Sequence, residues 1–223
     1  METTKVLTTR QTSYHVPEVN KVMRNTYALL SITLLFSAVT AGITAAWNLP
    51  SPGIIITLVG YFGLLFLTTK FRNSGAGLLC VFALTGFMGY TLGPIINSYL
   101  SLSNGPQLIM TAMCGTALIF LVLSTYVLTT QKDFSFLGGF LSVGILVAFV
   151  AGLSALFFEI SALSLAVSAV FVLLMSGLIL YQTSAIIHGG ETNYIMATVA
   201  LFVSVFNLFT SLLHLLGFMG SDE

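Results

Sequence analysis

Apolar residues fill this chain in seven long blocks separated by short polar breaks. The blocks run over Tyr27–Trp47, Gly53–Thr69, Gly75–Leu100, Gln107–Leu128, Phe134–Phe158, Leu163–Ile187 and Tyr194–Phe218. A helix that crosses a bilayer needs about 20 largely apolar residues, so each block is predicted to be one transmembrane helix. The second block is the shortest, and its ends are the least sharply marked. The breaks carry turn chemistry: Asn48-Leu49-Pro50-Ser51-Pro52, Arg72-Asn73-Ser74-Gly75, Ser103-Asn104-Gly105-Pro106 and His188-Gly189-Gly190. With connections this short, the pattern predicts an all-α membrane protein, a bundle of seven transmembrane helices without an extramembrane domain.

The polar residues inside the blocks fall on faces. Lipid gives helices no hydrophobic reason to associate, so small and polar side chains mark where they pack. The first helix carries Thr33, Ser37, Thr40 and Thr44 on one side. The third carries Gly86, Gly89, Gly93 and Asn97, with Pro94 placed to kink it. The fifth carries Gly144, Ala148, Ala151 and Ala155, and the sixth Ser161, Ser164, Ser168, Ser176, Gln182 and Thr183. On the seventh, Ala200, Ser204, Asn207, Ser211 and His214 occupy an arc of only about 80° at roughly 100° per residue. Such a line is costly against lipid and must face protein or water, which predicts that helix 7 is central or lines a cavity. Gln182, Ser204, Asn207, Ser211 and His214 are the candidate interior residues, as a packing face or a polar path. An amide near mid-membrane must find partners, and Asn207 is expected to clasp a neighbouring helix.

Composition agrees with this class. The chain of 223 residues is 57% hydrophobic and 6% charged, against about 25% charged in a soluble domain, and its mean hydropathy is +1.01. Seven basic and seven acidic residues cancel, leaving no basic patch for nucleic acid. Cys80 and Cys114 lie in apolar runs without ligand spacing and read as small buried hydrophobes. A soluble enzyme, a nucleic-acid binder and a disulfide-stapled secreted domain are excluded. No HExxH, GxSxG, P-loop or intramembrane aspartate pair occurs, so neither catalysis nor a metal or cofactor is expected.

The distribution of charge orients the bundle. Lys5, Arg10, Lys21 and Arg24 precede helix 1, Lys70 and Arg72 follow helix 2, and Lys132 follows helix 4. Seven spans put all of these on one side, while the opposite loops hold only Glu159 and the terminal Asp222-Glu223. The excess of Lys and Arg belongs in the cytoplasm, so the N-terminus is expected inside and the C-terminus outside. Residues 1–25 are polar and read as a flexible cytoplasmic tail, residues 26–219 as the seven-helix domain, and residues 220–223 as a short C-terminal tail. The first apolar block is too long for a signal peptide. At the helix ends, Glu159 should be solvated. His188 followed by Gly189 and Gly190 reads as a helix C-terminus with a left-handed cap, and Glu191 suits the positive end of helix 7.

Several strings together carry a resemblance. Asn25-Thr26-Tyr27-Ala28-Leu29-Leu30, Leu49-Pro50-Ser51-Pro52-Gly53, Leu92-Gly93-Pro94-Ile95-Ile96-Asn97, Lys132-Asp133-Phe134-Ser135-Phe136-Leu137-Gly138-Gly139 and His188-Gly189-Gly190-Glu191-Thr192-Asn193-Tyr194-Ile195 resemble the Bax inhibitor/YccA family from about Lys21 onward. The resemblance implies a seven-helix bundle around a central last helix, a place in the bacterial inner (plasma) membrane, and interaction with the FtsH membrane protease. A non-enzymatic modulator would engage that protease through bundle contacts and the N-terminal tail with Lys5, Arg10, Lys21 and Arg24. Other branches of the family are pH-sensitive calcium leaks marked by an aspartate pair, one late in helix 6 and one in helix 7. The matching positions here are Gln182 and Ser204, which carry no charge. Calcium prefers several oxygen ligands with carboxylates supplying affinity, so a calcium or proton pathway is the alternative expectation.

Overall fold

The computed structural model describes residues 16–219. Lys5 and Arg10, most of the expected N-terminal tail and the terminal residues 220–223 lie outside the described residues. Seven helices follow one another: α1 Val16–Ala46, α2 Ile54–Phe71, α3 Gly75–Leu100, α4 Gly105–Thr130, α5 Leu137–Phe157, α6 Ser161–Ile187 and α7 Tyr194–Met219. All seven are long and apolar enough to cross a membrane, and no strand occurs among the described residues. The chain is a multi-pass membrane protein.

The helix ends differ from the apolar blocks where polarity and helicity part company. Helix α1 starts at Val16, well before the apolar run opens at Tyr27. Lys21 and Arg24 are good helix formers, and Val22 and Met23 already pack on the core. The polar stretch therefore marks where the membrane ends, not where the helix ends. Helix α5 starts at Leu137, because Asp133 turns the chain first by accepting the Ser135 amide at 2.8 Å. Helix α3 runs through Pro94 to Leu100 without a break.

Helix α7 packs against α1, α3, α4 and α6, whereas α2 rests mainly on α3 and α5 on α6. Leu201, Phe202, Ser204, Leu208 and Leu213 of α7 have no exposed surface. The large side chains on the outside, such as Leu35, Ile55 and Phe66, face what in a bilayer is hydrocarbon, so their exposure carries no hydrophobic penalty. Cys114 is on this outer surface and Cys80 is half-buried. That corrects the expectation of two buried cysteines: in lipid, an apolar run has no preference for the interior.

The α1–α3 contact shows how small residues set the spacing. A Cβ on Gly89 would strike the Ser37 backbone, and one on Gly93 would strike the Thr44 hydroxyl. Ser37 and Thr44 belong to the polar line of α1, and Thr44 is silenced against its own helix by donating to Thr40 O and Ala41 O at 3.0 Å. Asn97, one turn beyond Gly93, donates to Ala45 O at 2.9 Å and Asn48 Oδ1 at 3.1 Å, which closes the end of the contact.

Candidate functional site

The polar lines of α6 and α7 meet along one seam. The turn between the two helices is built as the sequence predicts. His188 ends α6, and Gly189 takes φ +74°. The Gly190 amide then donates to Ala185 O at 2.8 Å, and the Gly189 amide to Ile186 O at 3.3 Å. These bonds satisfy the last carbonyls of α6 in a Schellman cap. Asn193 opens α7, its Oδ1 accepting from Ile195 N at 3.0 Å and Met196 N at 3.1 Å, as an N-cap residue does. Glu191 accepts the Asn193 amide at 2.8 Å.

Two side-chain pairs join the antiparallel helices. Near the turn, Ser204 Oγ donates to Gln182 Oε1 at 3.1 Å, with Ala200 O as a second acceptor at 3.0 Å. Ser204 is wholly buried and Gln182 half-buried. Toward the far end, Ser168 Oγ lies 2.7 Å from His214 Nδ1 and 3.0 Å from Ser164 O. The Ser168 hydroxyl thus has a backbone acceptor available when the ring nitrogen carries the proton. Ser211 is buried between these pairs. Asn207 does not clasp a neighbouring helix through its amide nitrogen; it donates to Val203 O of its own helix at 2.8 Å, an alternative open to any short polar side chain in a helix.

The seam continues into neighbouring helices. Tyr27 of α1 places its hydroxyl 3.4 Å from Thr183 Oγ1, and Thr198 donates to Tyr194 O at 2.7 Å and reaches Thr26 O at 3.3 Å. Among the described residues, two fully enclosed hydroxyls, Thr26 Oγ1 and Ser124 Oγ, have no partner. None of these groups is a carboxylate, so the seam can exchange hydrogen bonds but offers no carboxylate oxygen to a divalent cation. Among the described residues, no group of three His, Cys, Asp or Glu could hold a metal ion.

Side-chain staples that sequence reasoning missed hold the loops at the turn end. Ser184 accepts the Phe134 amide at 2.9 Å and donates to Lys132 O at 3.4 Å. His188 Nδ1 is 2.9 Å from Ser184 O. The Ser135 amide and hydroxyl hold the Asp133 carboxyl below the usual carboxylate range, and His188 adds to this. Asn193 Nδ2 donates to Arg72 O at 3.0 Å and Asn73 Oδ1 at 2.9 Å. The α2–α3, α4–α5 and α6–α7 loops therefore sit together, and with Lys21 and Arg24 at the start of α1 they gather the described basic residues at one end of the bundle. Asn193 was not singled out as the N-cap, although an Asn just before an apolar run is a signal for one. Its reach to a loop over a hundred residues earlier leaves no local signal in the sequence.

Comparison with known proteins places the chain in a group. The model of a family described as inhibitor of apoptosis-promoting Bax1 matches residues 19–221. An uncharacterized protein of Pseudomonas aeruginosa is 58% identical over 92% of this chain and 93% of its own length. A protein of Escherichia coli K12 named modulator of FtsH protease YccA is 57% identical over 91% of this chain and 92% of its own. The relative from a second E. coli strain, equally similar, is named inner membrane protein YccA.

Proposed function

This chain belongs to the family of inhibitors of apoptosis-promoting Bax1, and on that premise we propose that it binds and modulates the FtsH protease in the bacterial inner membrane. The observation that carries this reading is the 57% identity, over nearly the full length of both chains, to a relative named as modulator of that protease. The protein acts as substrate or inhibitor in membrane-protein quality control, without catalysis of its own. Crosslinking in native membranes followed by purification of the complex tests it. FtsH should be recovered with this chain and lost when an unrelated seven-helix protein replaces it.

The N-terminal residues are the grip. A protease that pulls helices from a bilayer must first hold a free segment, and the stapling of loops by Ser184 and Asn193 withholds theirs. We propose that residues 1–15, ahead of α1, are where the protease takes hold, on the side that the one-sided Lys and Arg predict to be cytoplasmic. The merely solvated terminus that many chains carry predicts otherwise: deleting Glu2–His15 would leave the lifetime of the protein unchanged in cells that contain FtsH. The grip predicts a longer lifetime at unaltered membrane insertion.

The calcium-leak reading is not favoured. The neutral Ser204–Gln182 bond occupies the positions that the family resemblance matches to the aspartate pair of leak-forming branches.

A further inference from the structure

A groove of about 730 Å³ runs between α5 and α6. Its walls are apolar throughout, and every residue in them belongs to a membrane-spanning helix. The groove is open because Gly139, Ala151 and Ala166 are too small to fill it, and a Cβ on Gly139 would meet nothing within 4 Å. Its floor is closed where Leu174 lies against Gly144. From Gly139 to Ala151 the groove extends about 18 Å by helical rise, close to the roughly 15 Å of hydrocarbon in one leaflet.

A cation stands in the α4–α5 loop seven residues before Gly139, with its ammonium on Tyr126 at the end of α4. Lys132 Nζ lies 5.8 Å from the centre of the Tyr126 ring and 3.3 Å from its hydroxyl. From Tyr126 a row of rings leads along the boundary, to Phe134 at 6.2 Å and from there to Phe136 at 6.3 Å. Phe136 is one helical turn before Phe140, which forms part of the groove wall. Phe136 and Phe140 are both exposed, as aromatic side chains at a membrane interface are.

We propose that the α5–α6 groove holds one acyl chain of a membrane phospholipid whose phosphate is met by Lys132. Walls without a polar atom give nothing to water, an ion or a polar peptide. An acyl chain laid against these walls gains dispersion contacts along its length, and the groove opens directly onto the exposed Val143, Val147 and Val170. The ammonium of Lys132 supplies the complementary charge at the level where a headgroup begins. This proposal stands apart from the protease reading.

The test is native mass spectrometry of the full chain, released from phosphatidylglycerol nanodiscs and washed with detergent. The unmodified protein should retain one phospholipid under washing that strips a Gly139→Leu/Ala166→Leu variant, whose added side chains fill the groove. Lys132→Gln, a change at an exposed turn residue, should retain the phospholipid several-fold less well and keep the helical circular-dichroism signal. Equal retention by the unmodified and filled proteins overturns the acyl-chain site. Unchanged retention in Lys132→Gln overturns the phosphate contact. A protein chain retained in place of lipid overturns the proposal as a whole.

Discussion

Ser204 Oγ and Gln182 Oε1 are 3.1 Å apart across the α6–α7 seam, a neutral hydrogen bond at wholly buried and half-buried positions. A buried neutral pair contributes on the order of 1 kcal/mol to stability and does not titrate in the physiological range. A pair of carboxylates at the same place would share a proton, because two like charges so close cannot both ionise. Calcium flux into liposomes is therefore expected to be low for the unmodified protein at any pH between 5 and 8. Gln182→Asp/Ser204→Asp should acquire pH-dependent flux, provided the seam communicates with water on both sides. Robust calcium leakage by the unmodified protein contradicts the argument.

The glycines of α3 give a stability prediction. A side chain at Gly93 must displace Thr44 and the α1 backbone behind it, and overpacking of this kind costs about 1–3 kcal/mol or more. Gly93→Leu should lower the thermal unfolding midpoint in detergent, with Gly89→Leu acting alike. Gly42→Ala, where a Cβ meets nothing within 4 Å, should leave the midpoint in place or raise it slightly, since Ala is the better helix former.

Two buried serines separate partnered from unpartnered hydroxyls. Ser184→Ala leaves the Phe134 amide without its acceptor and should cost about 1–3 kcal/mol, together with faster hydrogen exchange at Phe134. Ser124→Ala removes a hydroxyl that has no partner. Its effect on the unfolding midpoint should be near zero or stabilising, since only an unsatisfied group is lost.

Orientation is testable by reporter fusions. The described basic residues share one end of the bundle, and the proposed topology, with the Lys and Arg excess inside, has that end in the cytoplasm. Reporters at Glu223 and within Ser101–Pro106 should both read as external. A cytoplasmic reading at Glu223 would contradict the proposed topology.

Much of the fold was legible because membrane helices are written in long apolar runs. The bounds of α3 and the junction from Ile187 to Tyr194 follow directly from Gly, Asn and His at the breaks. The start of α1 was not legible, because hydropathy reports contact with lipid while the helix continues as long as Val22 and Met23 find the core. On α7, periodicity grouped Ser204, Ser211 and His214 on one face, and Ser204 and His214 each lie within hydrogen-bond distance of an α6 side chain. It could not say that Asn207 would turn back to Val203 O, since a rotamer decides between two acceptors on the same face. Ser184 was invisible for a related reason: its partners, Phe134 and Lys132, come from a loop about fifty residues away in sequence.

The most direct test of the account is the rate at which FtsH degrades a membrane-protein substrate in proteoliposomes, with and without this chain. Binding and modulation predict that substrate degradation slows as the chain is added. The inhibition should be weaker with the Glu2–His15 deletion, which lacks the grip. An unchanged degradation rate at every ratio, with no complex recovered by crosslinking, would contradict the central claim.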